Sequence, residues 1–508
     1  MACLGCFRIS SFHLRQFSFL IPAIMQTAFA LSLVLLLSSG MAPAQQPAVV
    51  VEALKPSPIE QNLRKLTDEI GGRVPGTPAM EAAVQWGVEA FKVAGADKVW
   101  TEAFEMPVSW AEGATAIEVV APAHFKVRGV SMAWSPAIAK PLRAGVIDVG
   151  EGTEAEFAKV GNIQGAVLLV HSPLLTTWEE LFNEYLKAPP IIDRAVAGKA
   201  AAIAWLSSRE HDVLYRHINS FSGHPDRIPG VLLAREDGLR VARLIANGKA
   251  VEMQIALPNK IGGAIKTANV IAELRGSEKP DEYVVLGAHL DSWDLGTGAL
   301  DNGANCALVI DALRAIRASG AKPKRSIRFI LYSGEEQGMH GSLADVRQHR
   351  SELDKVAGVV IVDSGIGKIT GYSLGGRKDA IEFTNKLLRP IADLGATQHT
   401  TDAFVGTDNF DYMIEGVPTW TASQEPANYM VNYHASSDTY DKVDFTVLKR
   451  HTAIAAYTAF ALADSADRVP RQSRAEVEQL LKDTKLDEQL KIFGHWPDWM
   501  SGKRGRTP

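Results

Sequence analysis

Three apolar runs in the second half of the sequence each end directly in side chains able to bind a metal ion. Tyr283 to Leu286 leads into Gly287-Ala288-His289-Leu290-Asp291, Ser326 to Tyr332 into Ser333-Gly334-Glu335-Glu336, and Val356 to Val362 into Asp363-Ser364-Gly365. Leu300-Asp301-Asn302-Gly303 adds a carboxylate just ahead of a helical pattern, and His434 stands in Asn432-Tyr433-His434-Ala435. The imidazoles of His289 and His434 with the carboxylates of Asp301, Glu336 and Asp363 suit Zn²⁺ or a similar divalent ion. Two ions sharing one carboxylate would leave open positions for water and substrate. In His289-x-Asp291 the period of two puts both side chains on one face, so Asp291 is expected to accept a hydrogen bond from the ring nitrogen that does not hold metal. Glu335 and Glu336 point in different directions, which lets one bind metal and the other serve as general base. Taken singly, each signal has a plainer reading. His-x-Asp is common, an aspartate before a helix is a cap, and paired glutamates are usually solvated. Three strand ends aiming donors at one crevice outweigh those readings.

Such a set needs a scaffold, and in open α/β sheets ligands bind beyond the carboxyl ends of the strands. After Asn259 short apolar strands alternate with helical patterns at Gly303–Ser319 and Gly341–Arg350, which predicts an α/β fold around a doubly wound, mostly parallel sheet. Upstream, helical spacing over Pro58–Leu66 and Ala79–Ala94 flanks the turn-rich Gly71–Pro78, and Trp100–Val108 alternates like a strand. Residues 125–258 change to short β-rich pieces, Gly145–Val149 and Gly165–His171, mixed with the helical Glu236–Ala246. This stretch reads as a separate domain inserted into a catalytic domain made of residues 45–124 and 259–470. Its His171, His211, His217 and His224 are scattered, as surface or satisfied core histidines are. Residues 471–508 form a charged tail with a helix at Arg474–Lys485, in which Lys503, Arg504 and Arg506 read as solvated charge. Gly371–Arg377 lacks the lysine of a phosphate loop and reads as a turn. Asp402, Asp408 and Asp411 form an acidic loop, and Cys306 reads as a small packed side chain.

The 508 residues carry a formal net charge of -5, so no basic surplus points to nucleic acid as a partner. Within residues 1–44, Arg8, His13 and Arg15 precede the apolar run Ala28–Leu37, and Ala42-Pro43-Ala44 offers a cleavage position. That is the pattern of a secretory signal peptide, with Met25 as an alternative start. Its apolar core is too short to span a bilayer, so stable membrane insertion is not expected after cleavage, and the product is periplasmic or secreted. Cleavage removes Cys3 and Cys6 and leaves Cys306 as the only thiol, which rules out an intrachain disulfide.

The run Gly287–Gly338, Val362-Asp363-Ser364 and the His434 segment together resemble the co-catalytic zinc exopeptidases, a family that includes bacterial aminopeptidases and glutamate carboxypeptidases. Ile70–Thr77 and the Trp110 segment match the glutamate carboxypeptidase branch, and residues 125–258 resemble a protease-associated domain. The resemblance covers nearly all of the chain after residue 44. It implies a phosphorylase/hydrolase-like zinc-exopeptidase fold with two Zn²⁺ per subunit, small peptide substrates and a homodimer. By position, Asp301 would bridge the ions, His289 and Asp363 would complete one site, and Glu336 and His434 the other. Glu335 would be the general base and Asp291 would hold His289, while Asn428–Tyr433 would form a substrate wall. Three other readings stay open: an aminopeptidase of the same family, a one-zinc glutaminyl cyclase, and a metal-free receptor-like ectodomain. The full donor set and the Glu335-Glu336 pair weigh against the last two.

Overall fold

A computed structural model describes residues 46–507, and the expected signal peptide at 1–44, with Cys3 and Cys6, lies outside them. The fold is mixed α/β. Its main sheet has seven strands in the order Lys98–Met106, Ile265–Leu274, Arg325–Tyr332, Lys279–His289, Val356–Ile361, Thr419–Gln424 and Ile369–Ser373. The four strands from Arg325–Tyr332 to Thr419–Gln424 run parallel, and the flanking pairings are antiparallel. Half of the pairings are therefore parallel, and these are the ones that carry the metal-type residues. Short central strands rich in Val, Ile and Leu are buried on both faces, as parallel strands are.

Alternation along the strands separates two cores. Val270, Ala272, Val284, Leu286, Phe329, Leu331 and Val360 pack against helices Pro78–Ala94, Ala304–Ala318 and Phe445–Asp464 on one face. Ile271, Val285, Ile330, Tyr332, Val359 and Ile361 meet Val346 and Tyr412 on the other. Helix Ala304–Ala318 is buried almost all round, because it packs on the sheet and is surrounded by helices Ala48–Leu54, Pro78–Ala94 and Phe445–Asp464. Gly287 is required by close approach, since a Cβ there would lie 2.6 Å from the Tyr332 ring. Gly334, at φ 76°, makes the left-handed turn that carries the chain from the Tyr332 strand end into Glu335 and Glu336.

A second sheet has eight strands. Ile138–Asp148, Val167–Val170, Ala202–Leu206 and Gly230–Leu233 are parallel neighbours. It also recruits Ala116–Ala121, which pairs with Glu252–Leu257, so it begins ahead of the expected boundary at 125. A short ribbon, Trp110–Ala111 against Lys260–Ile261, joins its entry and exit strands. Among the described residues no helix is long and apolar enough to cross a membrane.

Lys503 is exposed as solvated charge is, but Arg504 departs from that reading. Arg504 is buried and donates to both carboxylate oxygens of Asp411, at 2.8 and 3.0 Å. Around this pair Val477, Leu481, Leu490 and Trp499 join Met339, Phe410 and Ile414 in one apolar cluster. A buried carboxylate needs a partner, and the tail supplies it. Asp411 is thus a structural residue of the acidic loop. Of the glycine-rich run, Gly371–Ser373 lie in the edge strand Ile369–Ser373 and the expected turn falls at Gly375-Gly376.

Candidate metal centre

His289 ends its strand, and its Nε2 lies 3.0 Å from Asp363 Oδ1 and 3.2 Å from Asp301 Oδ1. His434 Nε2 lies 2.9 Å from Glu336 Oε2 and 3.3 Å from Asp301 Oδ2. Asp301 therefore stands between two imidazole–carboxylate pairs and offers one oxygen to each. His289, Asp301 and Glu336 bring donor atoms within 4.8 Å of one another, and so do His289, Glu335 and Asp363. Asp301 Oδ2 and Glu336 Oε1 are buried without a hydrogen-bond partner. All five residues named as ligands, with Glu335, thus meet in one crevice.

The supports of these side chains differ from the simple pattern. His289 Nδ1 lies 3.0 Å from the backbone carbonyl of Asp291, whereas the Asp291 carboxylate is 3.7 Å away. That carboxylate accepts instead from the backbone N–H groups of Glu335 and Glu336, both at 3.2 Å. Asp291 thereby ties one strand end to the next. The Asp438 carboxylate, four residues after His434, accepts from the N–H groups of Ala299, Leu300 and Asp301 at 2.7 to 3.1 Å. Arg73 is wholly buried and donates to the carbonyls of Gly71, Leu290, Thr297 and Gly298 at 2.7 to 2.9 Å. It spans the loop from His289 to Asp301 and fixes the separation of these donors.

Electrostatics favour a cation here. Glu335 is pushed well above the usual carboxylate range by burial and by Asp363, Asp408 and Glu336, which outweigh the imidazole of His289. Burial, with Asp301 adding to it, lifts Glu336 to about 7. Asp408 is fully buried with neither oxygen partnered, and burial also raises it, with Asp363 and Asp291 contributing. Carboxylates crowded in a low-dielectric site need positive charge beyond what two imidazoles supply. A divalent ion fits the donors, the orphaned oxygens and the charge.

For His434, burial lowers the pKa, but the neighbouring carboxylates of Glu336 and Asp301 lift it to about 9. A bound ion must displace that proton. Zinc affinity is therefore expected to rise with pH up to about 9 and to fall about tenfold per unit below it for each proton released. Zinc titration of metal-free protein between pH 6 and 9, with the released protons counted, checks this.

A cavity of about 1300 Å³ opens on these residues. Trp178, Leu181, Phe182 and Tyr185 of helix Trp178–Ala197 form one wall, Tyr429 and Tyr433 another, and Leu480, Asp483 and Gln489 from the C-terminal helices a third. Asp402 lines it, as does Lys378, the only lysine or arginine among the described residues that do. The spacing of Trp178, Leu181, Phe182 and Tyr185 is a helical stripe that could have revealed the first wall, although Pro189-Pro190 within the same helix argued against one. His171 pairs with Asp148 at 3.0 Å, but His217 is buried with neither ring nitrogen bonded, against the expectation of a satisfied core histidine. A third donor group, Glu102, Asp345 and His349, is bonded among itself and to Trp100 and Tyr412 and reads as structural.

Metal-type donors at the ends of parallel strands, a paired glutamate and an adjoining cavity define the class: this is a metallopeptidase. Residues 269–459, which hold all five donors and Glu335, match the model of peptidase family M28. The chain is 26% identical to carboxypeptidase Q of Rattus norvegicus over 427 residues, 81% of this chain and 86% of the relative. The Homo sapiens protein of that name is 24% identical over 415 residues, 81% of this chain and 86% of the relative. A crystal structure of a peptidase M28 precursor from Shewanella amazonensis matches with a TM-score of 0.75 at 25% identity, covering 84% of this chain and 97% of that one. A zinc aminopeptidase from Bacillus subtilis shares the fold, with a TM-score of 0.64 at 18% identity over 84% of this chain and 98% of that one.

Proposed function

We propose that this chain is an exported di-zinc exopeptidase that hydrolyses dipeptides or other small peptides, in the manner of carboxypeptidase Q. The observation that carries the reading is the position of Asp301, one oxygen toward His289 and Asp363 and the other toward His434 and Glu336. A carboxylate so placed offers an oxygen to each of two ions, whereas a single ion would leave one imidazole–carboxylate pair unused, which disfavours the one-zinc cyclase. An intact donor set disfavours a metal-free ectodomain.

Bound zinc would supply Lewis acidity, polarising the substrate carbonyl and acidifying water. Glu335 faces the cavity, and its role is to take the proton of the attacking water and return it to the leaving nitrogen. Tyr433 stacks on His434 with ring centroids 3.6 Å apart, and its hydroxyl lies 2.7 Å from that of Tyr185. That phenol can donate to a carbonyl oxygen as it gains charge. The doubly wound core carries the strand ends, and the second sheet, read as an inserted protease-associated-like domain, narrows the approach and favours substrates with free ends.

A second reading, aminopeptidase, draws on the cavity wall, where Glu179, Asp379, Asp402, Glu476 and Asp483 face a single Lys378. An acidic surplus attracts a free amino group more readily than a free carboxylate. Purified protein, zinc-loaded and chelator-stripped, should be offered one dipeptide set free, amino-blocked and carboxyl-amidated. Zinc-dependent cleavage of free dipeptides alone establishes a dipeptidase, and tolerance of a blocked amino end a carboxypeptidase. Tolerance of amidation establishes the aminopeptidase, and no cleavage by protein holding two ions sinks the peptide-hydrolysis reading.

A further inference from the structure

The two histidines of the centre are oriented by different parts of the fold. His289 is held from within the main sheet, through the carbonyl of Asp291. His434 has its Nδ1 3.0 Å from the carbonyl of Arg216, a residue between strands Ala202–Leu206 and Gly230–Leu233 of the second sheet. The Arg216 N–H donates back to the His434 carbonyl at 2.9 Å, and the Ser436 N–H donates to Leu214 at 2.9 Å. Tyr215 and Ala435 thereby form an isolated antiparallel bridge. His434 also sits at φ 58°, a left-handed conformation that a histidine keeps only when its surroundings impose it.

Arg216 is itself fixed on every side. Its guanidinium is 1% exposed and donates to Glu112 Oε2 at 2.6 Å, the Ser131 carbonyl at 2.7 Å and Asp294 Oδ1 at 3.1 Å. Glu112 in turn accepts from the Ser131 N–H at 2.7 Å. Asp294 belongs to the loop between His289 and Asp301, so this one side chain clamps the second sheet to the metal loop while its backbone aims His434.

We infer that Arg216 is a positioning residue through which the second sheet sets the zinc affinity of the His434–Glu336 half of the centre, leaving the His289–Asp363 half to the main sheet. The inference rests on the two-ion reading above. Ring nitrogens turned away from the metal fix the orientation of the ligand, and loss of such a support weakens metal binding by about 10- to 100-fold.

The test is a zinc titration of metal-free full-length protein against a chromogenic chelator, with thermal unfolding of each metal-free variant in parallel. Wild type should show two uptake events. In Arg216→Met one event should weaken by about 10- to 100-fold while the other holds, and Arg216→Lys should restore part of the loss. Arg143→Met, which breaks an exposed pair with Glu252 in the same sheet, should alter neither event. Equal affinities in a folded Arg216→Met protein, equal weakening of both events, or a matching loss in Arg143→Met would each overturn the inference. If Arg216→Met does not fold, Asp294→Asn removes one anchor and should weaken the same single event, unchanged affinities again being the contrary result. Should wild type take up a single ion, the two-ion reading falls, and the latch is then decided separately: weaker uptake in the variant upholds it and equal uptake overturns it.

Discussion

Replacing Glu335 by glutamine is expected to lower turnover on the order of 10³-fold, within the range usual for loss of a general base, while zinc content stays at the wild-type level. Glutamine keeps the shape and the hydrogen-bonding surface of the side chain but cannot carry a proton from water to the leaving nitrogen. Of the adjacent pair, Glu336 meets His434 at 2.9 Å, whereas Glu335 lines the cavity next to the donor set. Steady-state kinetics beside metal analysis of the same sample decides the matter. Near-normal turnover would remove Glu335 from the proposed mechanism, and parallel loss of zinc would make it a ligand.

The second large effect is expected from Asp301→Asn. Loss of a group that only supports a ligand costs about 10- to 100-fold in affinity, so loss of the shared carboxylate should weaken both ions by more than about 100-fold and abolish hydrolysis. The backbone should stay in place, because Asp438 and Arg73 hold the loop through main-chain groups of Gly298, Leu300 and Asp301 itself, which the substitution leaves unchanged. Circular dichroism should therefore be unchanged while metal analysis shows both ions gone. A protein that retained one ion at full affinity would show that Asp301 serves a single site.

His289, Glu335, Glu336 and Asp363 were legible in the sequence because each follows an apolar run whose end is fixed by hydrophobic pattern alone, while Asp301 and His434 gained weight only beside them. The strand expected at Ser326–Tyr332 is Arg325–Tyr332, and the helix expected at Gly303–Ser319 is Ala304–Ala318. What holds the donors was not legible. Asp438 reads locally as one more acid in Ser436-Ser437-Asp438-Thr439, and only the folded chain brings it under the three amides of Ala299, Leu300 and Asp301. The Arg73 guanidinium donates only to carbonyls, which leave no trace in side-chain identity. Arg504 looked solvated because nothing near it in sequence announces Asp411. Arg216 acts on His434 through its backbone, a contact no residue pattern encodes.

Cys306 lies at the start of the helix that follows Asp301, fully buried, with its thiol donating to the carbonyl of His289 at 2.9 Å. Burial pushes its pKa up to about 12, which leaves roughly one thiolate in 10⁵ at neutral pH. Alkylating agents and mild oxidants therefore find no nucleophile there, although the sulfur sits beside the peptide that carries a ligand. On the di-zinc reading, small dithiols are still expected to silence the protein, because they compete for the metal and the described residues hold no disulfide to reduce. Sensitivity to thiol compounds would consequently mark the metal, and restoration by added zinc would separate it from damage to the protein.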